Sequence, residues 1–453
     1  MIIADCAATP KRLQNRSSFV LPAVLALSSM WGYAEFIVIP ELQSEAARTG
    51  RPRGNLSDLY PRWLGARELL LHGRDPYAAD LTREIQMGYY GRVLEPSRPN
   101  EPKDQEGFVY PVYVVFLLAP TVHLPFRVVQ RGFRDLLVLL TALSVPLWLS
   151  FTSYRLSRAA QLTWILLTLG SVPALQGIKL QQLSLVVCSM IAATGAAIHK
   201  RKFVLAGILL ALATIKPQLV ALPTGWLFLW ILGDWRGRQR LAWSFLLAMA
   251  ALITGGLVVL PGWIAHFWRA TMDYERYTGG WKSILDYALT SPYGKVASVL
   301  IVVAVLAVGW VLRGSSPEST PFVWGFSLTL AATVLVLPMI WPYNQFLLLP
   351  GLMLAGRSSS SLWQKGALWR LLLVGTASTV LWPCLAAAAM LLSLIFLPLR
   401  TVLAAWTVPL KTALLPPVFV AVVLAAYPIA PFLSTRIVPE FENSAPDQST
   451  IRS

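Results

Sequence analysis

The chain has 453 residues, of which 56% are hydrophobic and only 13% are charged. Soluble domains carry about 25% charged residues, so this composition indicates an integral membrane protein. The formal net charge is +16. The basic residues cluster in short connectors between apolar runs, at residues 155–158, 199–202 and 236–240. Membrane lipids, and not nucleic acid, are the expected partners of such connectors.

The first apolar run extends from Phe19 to Pro40, behind a polar tail of residues 1–18. The run has the length of about 20 residues that crosses a bilayer. No small-residue cleavage site follows it, so we predict a transmembrane helix and not a signal peptide. Because Lys11, Arg12 and Arg16 precede the run, the positive-inside rule predicts a cytoplasmic N-terminus and an extracytoplasmic loop after the span.

That first outer loop, residues 41–134, is long and acidic. Half of the 22 Asp and Glu residues of the chain lie between Glu41 and Glu106. Long ordered loops are uncommon and usually carry function. The apolar part from Tyr110 to Phe126 is interpreted as an interfacial or re-entrant helix, because only then do the later basic connectors all lie in the cytoplasm.

Further spans follow this loop. We predict them near residues 135–153, 159–175, 183–198, 239–260, 296–313, 320–340 and 344–356, with a broken pair across 203–233 and two to four more between Ala367 and Phe432. The chain ends in a polar tail, residues 436–453. The predicted fold class is all-α, a polytopic transmembrane protein whose long extracytoplasmic first loop carries interfacial helices.

Asp58 is the clearest candidate for chemistry. It stands early in the outer loop, directly before a segment with helical spacing in which Trp63, Ala66 and Leu70 share one face. A carboxylate there is suited to act as a general base that takes the proton of an attacking hydroxyl. The alternative is structural, since Asp is also a favoured N-cap residue. Asp75 and Tyr110 each precede a proline and are interpreted as structural residues.

Lys216 is the clearest candidate within the apolar part of the chain. It stands in the Lys216-Pro217 dipeptide that interrupts the broken pair, and helix breaks at membrane depth occur where the freed backbone lines a cavity. A buried lysine is costly and indicates a functional site, for which a phosphate is a suitable partner. The alternative is a lysine whose ammonium reaches the interface from a helix end.

Other chemistries have no support in the sequence. There is no phosphate-binding glycine-rich loop, no dinucleotide-binding fingerprint and no zinc-protease motif. The three cysteines, Cys6, Cys188 and Cys384, lie far apart and suggest neither a disulfide framework nor a zinc site. We therefore expect no cofactor and no required metal ion.

Several short motifs, taken in order, resemble glycosyltransferase family 87, a family of the GT-C superfamily that includes polyprenyl-phosphate-mannose-dependent mannosyltransferases. In the outer loop these are Asp58-Leu-Tyr60, Gly73-Arg-Asp-Pro-Tyr77 and Phe108-Val-Tyr-Pro111. Further along they are Gln182-Leu-Ser-Leu, Ala213-Thr-Ile-Lys-Pro217, Leu337-Pro338 and Trp341-Pro-Tyr-Asn-Gln-Phe-Leu-Leu-Leu-Pro350. The chain departs from the family pattern at three places. Gln181 replaces a frequent Gly, Leu337 replaces Ser, and Tyr343-Asn344 replace the usual histidine.

The resemblance implies a GT-C-like transmembrane catalytic module over residues 19–350, followed by C-terminal transmembrane helices over 351–435. It implies an inverting hexosyltransferase that moves a hexose, possibly mannose, from a polyprenyl-phosphate donor to a lipid-linked or glycan acceptor. The expected location is a bacterial-type inner (plasma) membrane, with the active site on the extracytoplasmic side. Asp58 would be the general base, and Lys216 and Arg62 would bind the donor phosphate. The implied sugar- and acceptor-binding residues are Tyr60, Gln182, Trp341, Tyr343 and Asn344.

Two other functions remain open from the sequence. A polyprenyl-lipid or glycolipid flippase would also use a broken helix and a buried lysine to bind a polar headgroup, but it predicts inverted repeats, and the sequence contains no evident repeat. A non-catalytic membrane scaffold would tolerate changes at Asp58 and Lys216.

Overall fold

The computed structural model describes residues 19–50, 52, 57–95, 97–98, 100–280, 282–290, 292–338 and 340–427, with residues 399 and 400 described without their side chains. The predicted tails, with Cys6 and the basic residues before the first span, lie outside the described residues. The described part is helical and contains no β-strand.

The helices are as follows in chain order. The first group comprises α1 (Val20–Thr49), α2 (Leu59–His72), α3 (Ala79–Tyr90), α4 (Val114–Leu118), α5 (Phe126–Phe151), α6 (Arg158–Leu169), α7 (Val172–Lys179), α8 (Leu183–His199), α9 (Phe203–Ala213) and α10 (Pro217–Leu232). The second comprises α11 (Trp235–Val259), α12 (Trp263–Thr278), α13 (Ile284–Leu289), α14 (Tyr293–Val311), α15 (Thr320–Val336), a 3₁₀ turn (Pro342–Leu348), α16 (Leu349–Gln364), α17 (Ala367–Phe396), α18 (Leu399–Leu403), α19 (Val408–Thr412) and α20 (Pro416–Ala426).

Six helical stretches within the described ranges are long and apolar enough to cross a membrane. They are Val20–Thr49, Phe126–Phe151, Trp235–Val259, Tyr293–Gly314, Ala367–Phe396 and Thr401–Ala426. Four shorter apolar helices, α8, α9, α10 and α15, pack among them. This architecture confirms the predicted polytopic, all-α membrane protein.

The first span is longer than predicted. Helix α1 continues beyond Pro40 to Thr49, because the turn from Ala34 to Val38 is a π-helix. The Ile39 backbone N–H donates to the Ala34 carbonyl in the i→i+5 pattern of a π-helix. Pro40 then stands in the first turn of the next α-helical segment, where a proline is tolerated. The outer loop therefore begins after Thr49, and not after Pro40 as the sequence predicted.

The predicted span 159–175 is two helices and not one. Helix α6 ends at Leu169, and the Ser171 side chain caps α7 by accepting a hydrogen bond from the Ala174 backbone. Gly170 sits in the break, where a Cβ atom would lie 2.8 Å from the Leu27 Cα of α1. Close contact with α1 therefore accompanies the break.

The segment from Tyr110 to Phe126 contains no helix long enough to cross a membrane. It contains only α4 and a three-residue 3₁₀ turn, and eight helical residues rise about 12 Å where the bilayer core needs about 30 Å. Helix α2 packs beside it, with the Trp63 indole donating a hydrogen bond of 3.2 Å to the Thr121 carbonyl. Most of α2 is buried by protein, so it packs as part of the fold and does not lie alone on a membrane surface.

The basic connectors gather at one end of the helices. Arg201 forms an ion pair with Glu318 (2.6 Å), and the buried Arg238 guanidinium donates to the Arg313 carbonyl (2.6 Å). The first outer loop lies at the other end, where it contacts the segments just before α8 and α10. The site described next lies at that second end.

Candidate active site

Asp58 directly precedes α2 but does not cap it. Its side chain accepts no hydrogen bond from the first turn of the helix, which contradicts the N-cap alternative. The carboxylate instead accepts a hydrogen bond from the Gln182 amide, and the Tyr89 hydroxyl lies 3.5 Å from its other oxygen. The Asp58 backbone N–H donates to the Leu180 carbonyl (2.9 Å), so Asp58 is fixed to the loop that precedes α8.

Lys216 lies in the break between α9 and α10 and points into protein. It is 7% exposed, and its ammonium donates to the Ser184 hydroxyl (2.5 Å) and to the Gln182 amide oxygen (3.2 Å). A lysine that reached the membrane interface would be solvated. The burial of Lys216 therefore contradicts the alternative in which its ammonium reaches the interface from a helix end. An ammonium has three N–H donors, and two are used by these neutral groups.

One hydrogen-bonded chain therefore connects the two candidates. The Gln182 amide donates to Asp58 and accepts from Lys216, and the Ser184 hydroxyl donates to the Asn344 side-chain oxygen (3.0 Å). Gln182, Ser184 and Asn344 are each at most 5% exposed. The network fixes the Gln182 amide orientation, because each end of the amide has a partner of the matching kind.

Arg62 supplies the second cation of the site. It follows Asp58 by one helical turn and donates to the Asp58 carbonyl (2.8 Å). Its guanidinium lies 4.8 Å from the Tyr110 ring centroid and 3.8 Å from the Glu106 carboxylate. The Lys216 ammonium lies 6.0 Å from the same Tyr110 ring. Tyr110, interpreted from the sequence as structural, thus joins both cations through its ring face.

Two acids that the sequence reasoning missed, Asp104 and Glu106, complete the electrostatics. Burial raises the pKa of the Asp58 carboxyl, and the charge of Asp104 adds to this, whereas Arg62 and Lys216 act in the opposite direction. Burial, with the charges of Asp104 and Asp58, raises the pKa of Glu106 well above its ordinary value. Like charges beside one guanidinium resist ionising together. The signal for these acids was their position just before the Phe108 motif in an unusually acidic loop.

The model of glycosyltransferase family 87 matches residues 108–338, just over half of the chain. The chain belongs to glycosyltransferase family 87. No curated protein and no solved structure matches it. The matched segment includes Gln182 and Lys216, whereas Asp58, Arg62 and the 3₁₀ turn lie outside it and join it through the contacts above.

The other residues predicted to bind sugar or acceptor in this glycosyltransferase lie at different distances from Lys216. Tyr343 contributes its ring, whose centroid lies 5.0 Å from the Lys216 ammonium. Trp341 is 47% exposed and stacks on Tyr343, with ring centroids 6.2 Å apart and an angle of 11° between the planes. Tyr60 points away from this group and packs against Trp63 and Phe126, because it is two residues beyond Asp58 on a helix.

The departures from the family pattern have local explanations in two cases. Gln181 has φ +49°, a conformation that favours glycine, and its amide donates to the Ile178 and Lys179 carbonyls (2.8 Å each), which offsets the strain. Tyr343 and Asn344 give the glycosyltransferase an aromatic face and an amide where its family usually has an imidazole. Nothing in the structure explains Leu337.

Metal binding has no visible site in the part of the chain that the structure describes, where no group of three His, Cys, Asp or Glu side chains could hold an ion. The absence of a required metal therefore stays a prediction.

Proposed function

We propose that this membrane-embedded glycosyltransferase moves a hexose, with mannose the first candidate, from a polyprenyl-phosphate donor to a lipid-linked or glycan acceptor on the extracytoplasmic side of a bacterial-type plasma membrane. The observation that carries the proposal is the arrangement around Gln182, which places a carboxylate and an ammonium on opposite ends of one amide. A carboxylate that can act as a base and an ammonium that can bind a phosphate are thus held in one network, as transfer from a sugar phosphate to a hydroxyl requires.

Asp58 provides the base. Burial that raises its pKa makes the ionised carboxylate a better proton acceptor. In the proposed step Asp58 takes the proton of the acceptor hydroxyl while that oxygen forms a bond to the anomeric carbon. The bond from the anomeric carbon to the phosphate oxygen breaks on the opposite face, so the configuration inverts.

Lys216 and Arg62 stabilise the phosphate that leaves. The third N–H of Lys216 is the donor for a phosphate oxygen, because the other two are held by Gln182 and Ser184. Arg62 and Lys216 both lie near the Tyr110 ring, 4.8 Å and 6.0 Å from its centroid, and a guanidinium binds phosphate oxygens through paired N–H groups. Charge that develops on the leaving group is thus met by fixed donors.

The experiment compares wild type and Asp58→Asn in membranes supplied with a panel of radiolabelled polyprenyl-phosphate hexoses. Loss of a general base lowers the rate by about 10²- to 10⁴-fold, so we expect transfer by wild type from one donor of the panel and near-complete loss in the variant. Thermal unfolding in detergent serves as the folding control. Equal transfer by both proteins removes Asp58 from the mechanism, and donor binding without transfer by wild type favours the flippase.

A further inference from the structure

Glu106 lies beside Arg62, one of the two cations proposed to bind the donor phosphate. Its side chain is 10% exposed, and one of its carboxyl oxygens lies 3.8 Å from the Arg62 guanidinium. This separation is within the range of an ion pair but is longer than a hydrogen bond. Arg62 instead donates to the Asp58 carbonyl (2.8 Å). The Glu106 carboxyl is therefore close to the guanidinium without accepting a hydrogen bond from it.

The turn that carries Glu106 has a conformation that is costly for a residue with a side chain. Glu106 has φ +54°, in the left-handed region that glycine favours. Its backbone N–H donates to the Asp104 carboxylate (2.9 Å). Helix α3 holds the same turn, because the Tyr90 hydroxyl donates to the Asp104 carbonyl (2.9 Å). The Gln86 amide donates to the Gln105 carbonyl (3.1 Å). Strained residues held in this way concentrate at functional sites, so the placement of Glu106 indicates a role.

Acids outnumber cations around Glu106. Burial and the charges of Asp104 and Asp58 raise the pKa of Glu106 well above its ordinary value, and the charge of Arg62 acts in the opposite direction. The titratable and charged groups that face Glu106 are Asp58, Arg62, Asp104, Tyr89 and Tyr90 of α3, and Tyr274 and Tyr277 of α12. Arg62 is the only cation of this set.

A donor phosphate would bring a further negative charge to this group. The carboxyl groups of Asp58, Asp104 and Glu106 already outnumber the two cations of the site. Like charges at close range resist ionising together, so a phosphate beside Arg62 favours the neutral form of Glu106. Because such coupling is reciprocal, an ionised Glu106 must weaken the binding of the phosphate to the same extent. The guanidinium itself stays charged throughout.

We propose that Glu106 is a positioning residue for Arg62 and that donor binding is coupled to the uptake of one proton by Glu106. As a neutral acid, Glu106 leaves the guanidinium to the phosphate. As a carboxylate, it draws the guanidinium toward itself and closes the 3.8 Å separation with a charge-assisted hydrogen bond. The proton comes from solvent, and no bond of the donor changes in this step. The inference rests on the proposed function and deepens it, since it adds a proton to the requirements of the donor site.

The test measures donor binding in detergent without an acceptor, so that no transfer follows. The probes are undecaprenyl-phosphate mannose and undecaprenyl-phosphate glucose, phosphodiesters that have no second proton to lose. We expect the dissociation constant of wild type to be lowest at acidic pH and to rise by up to about tenfold per pH unit above the pKa of Glu106. Glu106→Gln is neutral at every pH and should keep the low dissociation constant throughout.

Proton uptake gives a second reading that a merely structural residue would not change. Calorimetric binding enthalpies, compared between buffers of different ionisation enthalpy, count the protons taken up with the donor. Above the pKa of Glu106 we expect close to one proton for wild type and close to none for Glu106→Gln. Glu95→Gln is the matched control, because Glu95 is an exposed acid of the same loop paired with Arg98. It should behave as wild type in both measurements.

The outcomes separate this inference from the proposed function. The same pH dependence and proton count in wild type and Glu106→Gln overturn the role of Glu106 and leave the proposed function standing. Donor binding by wild type without proton uptake overturns it as well, and that measurement depends on no variant. Proton-linked donor binding by a wild type that transfers no sugar upholds the role of Glu106 at a phosphate site and rejects the proposed function alone.

Discussion

At the scale of single residues, the two oxygens of Asp58 have different surroundings. One accepts from the Gln182 amide and the other lies 3.5 Å from the Tyr89 hydroxyl. The ordinary pKa of an aspartate is about 3.9, and burial raises the pKa of Asp58 above it. The base form is therefore lost on acidification at a higher pH than for an exposed aspartate.

The pH dependence of kcat tests this electrostatic arrangement. We expect the acidic limb of the profile to lie above the ordinary aspartate pKa and to move to lower pH in Asp104→Asn, because the charge of Asp104 raises the pKa of Asp58. Asp135→Asn is the control, since Asp135 is an exposed acid paired with Arg134. A limb at the same pH in wild type and Asp104→Asn contradicts the predicted coupling.

The Lys216→Met variant distinguishes the effect of the buried charge on protein stability from its effect on donor binding. Lys216 is 7% exposed and its ammonium donates hydrogen bonds to neutral side chains, and a buried charge that forms no direct ion pair destabilises a protein. We expect the variant to melt at the same or a higher temperature than wild type while the donor KM rises at least tenfold. Lys179→Met, which removes an ion pair with Glu35 on the protein surface, should leave the donor KM unchanged. A lower melting temperature with an unchanged donor KM would show a structural lysine.

At the scale of helices, the position of Lys216 depends on how closely α9 approaches α11. Gly207 lies at this contact, where a Cβ atom would be 2.0 Å from the Ser244 side chain and 2.5 Å from the Leu241 carbonyl. The backbone carbonyl cannot turn aside as a side chain can. Gly207 thus allows α9, which leads into the break, to pack closely against α11. A larger residue at this position would require the two helices to move apart.

Gly207→Ala is therefore expected to lower stability, by about 1–3 kcal/mol as for other overpacked sites, and to reduce transfer. Gly132→Ala is the matched control, because Gly132 lies in α5 with open space around its Cβ position and alanine favours a helix by about 1 kcal/mol. Thermal unfolding in detergent compares the two. Equal melting temperatures would mean that α9 and α11 lie further apart than described.

At the scale of the whole molecule, the basic connectors lie at one end of the helices and the active site at the other. The accessibility of each end to a reagent outside the cell can be measured. Lys103 precedes Asp104, whose charge acts on Asp58 at the active-site end, and Lys200 lies in the basic connector at the other end. In a background with Cys6, Cys188 and Cys384 replaced by alanine, we expect a membrane-impermeant maleimide to label Lys103→Cys in intact cells. Lys200→Cys should react only after the membrane is opened. The reverse pattern would place the active site in the cytoplasm.

The sequence by itself determined the class of the molecule and the position of its break. The apolar composition and the length of the apolar runs indicate helices in a bilayer, because a helix satisfies all backbone hydrogen-bonding groups within the spanning segment itself. The Lys216-Pro217 break was predictable because proline lacks the N–H that a continuing helix needs. The ordered motifs identified the family that the model match over residues 108–338 then confirmed.

Only the tertiary structure decided which residues share the site. Gln182 joins Asp58 across 124 residues of chain and Lys216 across 34, and no local pattern encodes such distances. Tyr60 was predicted at the site but packs elsewhere, whereas Asp104, Glu106 and Tyr110 belong to it. Burial and the approach of like charges are properties of packed helices, so they exist only once distant segments have come together.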